Sequence, residues 1–256
     1  MIRGTGFEHE KFNFPCGEMQ VRVDNYGPDD EVTIEFEFEE NEEIFELMLL
    51  ADALKRLDLF IKEIYIPYVP FSRQDRINVW GESLSLRVFC SVINSLGAEK
   101  VRIDDPHSDV TPALLNNCVV TPQWAIFLKY FVGKKDYILI SPDAGALKKI
   151  YKFAKYLTPL SVIECSKHRD VQTGHITHTT VNGGYGWDKL GIRDHDCYIV
   201  DDICDGGKTF IEIAKILKER GASKIILMVT HGFFTKGLSV FDDLIDEIYT
   251  RKGKVK

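Results

Sequence analysis

The densest group of reactive side chains runs from Cys197 to Thr209, Cys-Tyr-Ile-Val-Asp-Asp-Ile-Cys-Asp-Gly-Gly-Lys-Thr. An apolar run ends in Asp201 and Asp202, and a tight turn, Asp205-Gly206-Gly207-Lys208-Thr209, opens a helical pattern. A glycine-bearing turn at a helix N-terminus aims several backbone N–H groups at one place, and phosphate is the usual occupant of such a site. Carboxylates beside it can hold sugar hydroxyls or a hydrated Mg²⁺. A plain acidic turn with a helix cap explains one Asp here; three Asp and two Gly in one strand-to-helix turn need more than that. Gly207-Lys208-Thr209 has the tail of a nucleotide P-loop, but the Gly which that motif needs five positions earlier is Asp202, so the P-loop reading fails. Gly183-Gly-Tyr-Gly186 joins no strand to a helix and reads as a glycine turn rather than a dinucleotide fingerprint.

Other side chains offer related chemistry. Arg73 and Gln74 present forked donors suited to phosphate oxygens and a nucleobase edge, although a surface ion pair accounts for an isolated Arg73 as well. His107 follows a strand beside Asp105, a place from which it can meet metal or phosphate; alone it would more often be structural. Asp143 also follows a strand directly and can either hold a hydrated Mg²⁺ or cap the next helix. Lys167 and Arg169 stand at the mouth of a long polar segment, where cations can close over developing phosphate charge or simply line a solvated turn. His175 and His178 are better explained as polar loop residues than as a metal pair.

These residues need a scaffold, and the periodicity supplies one. Strands are predicted at 31–37, where Val32, Ile34 and Phe36 alternate with polar residues, and at 64–69, 100–103, 137–140, 160–164, 197–200 and 224–229. Helices are predicted at 43–57, 84–96, 124–132, 146–156 and 209–220, three of them closed by Gly97, Gly133 and Gly221. The segment 168–188, rich in Gly, Thr and His, reads as a mobile loop with a hairpin in it. Strand–helix alternation of this kind implies an α/β protein with mainly parallel sheets flanked by helices, in two tandem units divided near residues 129–135, as 1–132 and 133–256.

Composition narrows the function classes. The chain has 256 residues, 45% apolar and 28% charged, an ordinary globular balance rather than a disordered one. Thirty-two basic against 39 acidic residues give −7, which argues against general nucleic-acid binding. No apolar run approaches the roughly 18 residues of a membrane span, and Met1–Glu10 has acids and no apolar core, so neither a membrane partner nor a secretory leader is expected. The six cysteines form no C-x-x-C pair and no zinc-like quartet; they read as reduced, mostly buried thiols of a cytoplasmic protein.

The loop at 201–209 resembles the phosphoribosyl-pyrophosphate (PRPP) signature of the type I phosphoribosyltransferase fold. Further segments resemble one family with that fold, the ribose-phosphate pyrophosphokinases or PRPP synthetases. Pro67-Tyr-Val-Pro-Phe-Ser-Arg-Gln-Asp-Arg76 resembles its P-Y-x-x-x-x-R-Q-D-R, with Glu82 and Ser85 following. Asp105-Pro-His107 resembles its D-L-H, and Ser141-Pro-Asp-Ala-Gly145 its S-P-D-x-G. Phe14-Pro-Cys-Gly-Glu18 with Val21-Arg22-Val23 resembles its F-x-x-G-E-x-x-V-x-I loop. Lys167-His-Arg169 resembles the K-x-R of its catalytic loop, and Thr230-His231 its T-H. The matches occur in family order from about Phe12 to Phe234.

The resemblance implies transfer of the β,γ-diphosphoryl group of ATP to the 1-hydroxyl of ribose 5-phosphate, giving PRPP and AMP for nucleotide and NAD biosynthesis. It implies Lys167, Arg169 and His107 as catalytic residues. ATP would be held by Phe14, Glu18, Arg73, Gln74, Asp75 and His107. Ribose 5-phosphate would be held by Asp201, Asp202, Asp205, Gly206, Gly207, Lys208 and Thr209. Mg²⁺ would lie at His107, Asp143, Asp201 and Asp202. In the family the Phe14 loop serves a neighbouring subunit, which implies a homodimer or larger homo-oligomer. The sequence departs from the family at Cys16, Asn78, Gly206 and Lys208, and in having only about a dozen residues before Phe14. The alternatives are a PRPP-dependent phosphoribosyltransferase, which needs the 201–209 loop but not Arg73-Gln-Asp75 or Lys167-x-Arg169, and a non-catalytic regulatory relative.

Overall fold

The computed structural model describes residues 1–27, 31–169, 176–182 and 191–256, which form two compact units, Met1–Thr121 and Pro122–Lys256. The division therefore falls ten or so residues before the expected 132/133. The reason is aromatic packing. Trp124 stacks on Tyr156 at 4.0 Å, and Phe131 packs on Tyr137, Phe153 and Tyr198, so the 124–131 segment belongs to the second core.

In the first unit a five-stranded sheet has the order β1-β4-β5-β6-β7, with β1 (Ile2–Thr5), β4 (Glu31–Phe36), β5 (Phe60–Ile66), β6 (Lys100–Asp104) and β7 (Cys118–Thr121). β1 pairs antiparallel with β4 and the rest are parallel. Val32, Ile34 and Phe36 are all buried, as the alternation in β4 requires. α1 (Glu42–Arg56) buries Leu47, Leu50, Ala51 and Leu54, with acids in its first turn and bases in its last, which suits the helix dipole. α2 (Ser85–Ser95) buries Leu86, Phe89, Cys90 and Ile93, and α3 (Val110–Leu114) is a single short turn. β2 (Glu8–Asn13) and β3 (Met19–Asp24) form a separate hairpin. β5 ends at Ile66 rather than at 69, because Pro67 has no N–H to continue the ladder.

In the second unit the order is β10-β9-β8-β11-β12-β13-β14. β8 (Tyr137–Ser141), β9 (Ser161–Arg169), β11 (Asp196–Cys204), β12 (Lys224–Gly232) and β13 (Glu247–Thr250) are parallel; β10 (Ile176–Asn182) and β14 (Gly253–Lys254) close the edges antiparallel. β9 and β10 pair as a hairpin whose first strand begins at Ser161, earlier than the expected 168–188 segment. Alternate residues of the central strands feed two cores. Ile138, Ile140, Cys197 and Ile199 join the face of α6 (Lys208–Glu219). Tyr137, Leu139, Tyr198 and Val200 join the face of α4 (Gln123–Phe127) and α5 (Leu147–Leu157). Apolar residues on both faces are the mark of a parallel sheet covered on both sides.

The cysteines are all free: Cys90, Cys165, Cys197 and Cys204 are buried, Cys118 is half-buried and Cys16 is exposed. Among the described residues no helix is long and apolar enough to cross a membrane.

Candidate active site

In the second unit the site grows from the carboxyl end of β11, where ligands of parallel sheets bind. The chain leaves β11 at Cys204 and turns through Asp205–Gly207 into α6. Gly207 has φ +77°, and a Cβ there would lie 2.3 Å from the Phe241 ring, so only glycine fits both the backbone and the space. Helical bonding begins with the Ile211 N–H on the Gly207 carbonyl at 3.1 Å. No side chain caps this helix, so the N–H groups of its first turn open onto the loop. The segment after β12 braces the turn. The Phe233 N–H donates to the Cys204 carbonyl at 2.8 Å, the Thr235 N–H to the Asp205 carbonyl at 3.2 Å, and the Thr235 hydroxyl to Asp205 Oδ1 at 2.8 Å.

Asp201 and Asp202 stand just before this turn. Asp201 Oδ1 accepts from the Asp202 N–H at 2.9 Å, and the Asp201 carbonyl accepts from Gln123 Nε2 at 2.7 Å. Asp202 is buried, with Lys149 Nζ 3.4 Å from its Oδ2. Loss of solvent, and then the charges of Asp202 and Asp143, push the Asp201 carboxyl well above the usual carboxylate range. Asp143 also closes the entry to α5, where its Oδ1 accepts from the Ala146 N–H at 3.1 Å. The N-cap of α5 is Ala146 itself, so Asp143 braces the turn before the helix and does not cap it as foreseen.

In the first unit, three recognition segments follow strands. After β5 the chain runs through Pro67–Arg76, where Phe71 takes φ +61° and its carbonyl accepts from the Gln74 N–H at 2.8 Å. A phenylalanine rarely adopts that conformation. Its ring is held between Phe38 and Phe89 at 5.8 and 6.0 Å, which fixes the turn and leaves Arg73 and Gln74 exposed. After β6, the next strand in the sheet, come Asp105 at φ +39° and the exposed His107. The turn between β2 and β3 carries Phe14 and Glu18, closed by the Phe14 N–H on the Glu18 carbonyl at 2.8 Å, with both side chains exposed. Glu82 Oε2 accepts from the N–H groups of Asn78 and Val79, each at 3.0 Å, and shapes the loop in which the Asn78 departure falls.

Asp75, expected as a nucleotide contact, also has a part within the fold. Its carboxylate is buried, accepts from Arg76 Nε at 2.7 Å, and holds the Ser108 hydroxyl beside His107. It is a positioning residue that ties the Arg73 segment to the His107 segment. The Arg76 guanidinium, against the opposing cost of burial and with help from Ser108, holds the Asp75 carboxyl down at about 2. A folded value below the unfolded one stabilises the fold at pH above about 4, and that contribution is lost as pH falls from about 4 towards 2. Asp75→Asn is expected to cost about 1–2 kcal/mol at pH 7, after allowance for solvent screening of the exposed Arg76. Denaturant titrations of both proteins from pH 7 to 3 should show the gap narrowing below pH 4.5; a pH-independent gap would refute the ionic origin.

Of the remaining expected residues, Lys167 and Arg169 have their backbones at the end of β9, with side chains outside the described set; His175 lies outside the described residues altogether. The expected metal set divides between the units, His107 in the first and Asp143, Asp201 and Asp202 in the second. Among the described residues no three His, Cys, Asp or Glu side chains form a ready-made metal cage. Gln123, Lys149 and Thr235 belong to the site and were missed. Each acts on the Asp201–Asp205 turn from a distant stretch of chain, and no local motif marks them.

Residues 124–247 match the family model described as "Phosphoribosyl transferase domain". The chain is similar to the ribose-phosphate pyrophosphokinase of Mycoplasma pneumoniae, 34% identical over 200 residues, covering 76% of this chain and 58% of that protein. It is similar to the ribose-phosphate pyrophosphokinase of Thermococcus kodakarensis, 32% identical over 243 residues, covering 92% of this chain and 82% of that one. It thus spans about three fifths of the mycoplasmal protein and four fifths of the archaeal one. In fold it is similar to phosphoribosylpyrophosphate synthetase from Mycobacterium smegmatis, with TM-score 0.76 and 22% identity over 95% of this chain and 80% of that one.

Proposed function

The chain belongs to the ribose-phosphate pyrophosphokinase family, and from that premise we propose that it makes PRPP and AMP from ATP and ribose 5-phosphate. The observation that carries the reading is the uncapped N-terminus of α6 opening beside the Asp201–Asp202 pair. A phosphomonoester at the first turn of α6 accepts backbone N–H groups and the Thr209 hydroxyl. The ribose ring then falls against Asp201 and Asp202, whose carboxylates accept its hydroxyls. Arg73, Gln74 and His107 hold the nucleotide phosphates and base edge, and Phe14 and Glu18 stack on and bond to adenine. The 1-hydroxyl oxygen attacks the β-phosphorus, the bond from that phosphorus to the α,β-bridging oxygen breaks, AMP leaves, and the hydroxyl proton is released. Lys167 and Arg169 stabilise the charge that spreads over the transferring group.

From the family resemblance we assign Mg²⁺ to Asp143, Asp201 and Asp202, whose oxygens suit a hard cation, and count His107 among the residues assigned to it. Mg²⁺ bound there would neutralise charge on the diphosphoryl group. We further assign the reaction to the cytoplasm, where six free thiols stay reduced, and to a homo-oligomer in which the Phe14 turn serves a neighbouring copy.

The test is to mix the protein with ATP, Mg²⁺ and ribose 5-phosphate and follow ³¹P NMR. Equal amounts of AMP and PRPP are expected. Binding of ribose 5-phosphate without turnover would instead favour a phosphoribosyltransferase or a regulatory relative, which a screen of bases with PRPP separates.

A further inference from the structure

We propose that Lys236 is a second cation for the 5-phosphate of the sugar substrate, a specificity residue supplied by the loop after β12. The proposal rests on the ribose 5-phosphate reading above and adds a residue that the 201–209 motif does not contain.

Three observations converge on it. First, the stem of Lys236 lies along Gly206: a Cβ built on that glycine would lie 3.4, 3.5 and 3.6 Å from Lys236 Cε, Cδ and Cγ. The aliphatic stem therefore packs along the turn, while the residue stays exposed. Second, the backbone that carries it is fixed to the same turn. Phe233 and Thr235 donate to the carbonyls of Cys204 and Asp205, the Thr235 hydroxyl holds Asp205 Oδ1 at 2.8 Å, and the Gly237 N–H donates to the Phe234 carbonyl at 2.7 Å. Third, neither Lys236 nor Lys208 makes an ion pair with a described residue, although both are exposed in an acidic chain. Lys208 opens α6 itself.

The arrangement has a simple electrostatic consequence. A phosphomonoester dianion at the first turn of α6 receives its N–H groups, and Lys236, whose stem packs along Gly206, adds a full charge from the neighbouring loop. A Cβ at 206 would meet this stem at ordinary van der Waals distance, so the stem packs on the turn without requiring glycine there. The interaction discriminates by the phosphate charge and not by the sugar: it favours ribose 5-phosphate over free ribose and leaves the nucleotide untouched.

Calorimetric titration of the whole protein with ribose 5-phosphate tests this without turnover. Lys236→Met should weaken binding about tenfold and flatten its salt dependence, while Lys236→Arg stays within about threefold and ATP binding is unchanged. Because Lys236 is exposed, its thermal unfolding should match the parent. Equal ribose 5-phosphate affinity in parent and Lys236→Met would overturn the proposal and leave the proposed function standing. No ribose 5-phosphate binding by the parent would overturn both.

Discussion

Lys167→Ala is expected to lower kcat by about 10²–10³-fold while the KM values for ATP and ribose 5-phosphate move by no more than about threefold. The reason lies in when its charge is needed. On the proposed reading, the triphosphate of the bound substrates is already balanced by a cation and by Arg73 and His107. As the bond to AMP breaks, negative charge moves onto oxygens that those groups do not face. On the proposed reading, Lys167, whose backbone lies at the end of β9, meets that charge only as it develops. An interaction confined to the transition state appears in kcat and not in KM. Steady-state rates with each substrate varied decide the matter: unchanged kcat with raised KM would make Lys167 a ground-state binding residue instead.

Gly207→Ala should destabilise the second unit by about 2–4 kcal/mol, against less than about 1 kcal/mol for Gly206→Ala one residue earlier. The two glycines look alike in sequence but differ in physics. Gly207 has φ +77°, which costs a side-chain-bearing residue about 1–2 kcal/mol, and its new methyl would overlap the wholly buried Phe241 ring. Gly206 has no such φ, and its nearest neighbour is the movable end of Lys236 at 3.4 Å. Thermal or denaturant unfolding of both variants measures the contrast. A Phe241→Leu background should relieve a kilocalorie or so of the Gly207→Ala cost, since the overlap is with that ring. Equal costs at the two positions would refute the account.

What the sequence made legible follows the strength of each local signal. β4, β8, β11 and β12 carry alternating or continuous apolar residues, and α1, α2, α5 and α6 carry full helical stripes; all were readable. β2 and β3 were not, because the hairpin is polar and exposed on most of its length and offers no buried period. β7, β13 and β14 are four residues or fewer and leave too short a pattern. The Asp201–Thr209 turn was legible because its chemistry is contiguous. The brace from Thr235, the Gln123 bond to the Asp201 carbonyl and the Lys149–Asp202 pair join positions 30, 78 and 53 residues apart, as the fold alone decides. Asp75 shows the reverse: contiguity with Arg73 and Gln74 marked it as a contact residue, and no local pattern signalled that its carboxylate is also buried against Arg76 and Ser108.

The distribution of the thiols makes the chain a natural single-label protein. Burial pushes Cys90, Cys197 and Cys204 up to about 12 and Cys118 up to about 11. At pH 7.5 the first three present roughly one thiolate in 10⁴–10⁵ molecules, and a maleimide reacts with thiolate alone. Cys165 is buried as well, whereas Cys16 sits in the open, midway along the Phe14–Glu18 turn. A fluorophore attached to the native chain, without any cysteine removed, would therefore settle on the turn assigned to adenine, and its emission would report nucleotide arrival there in real time.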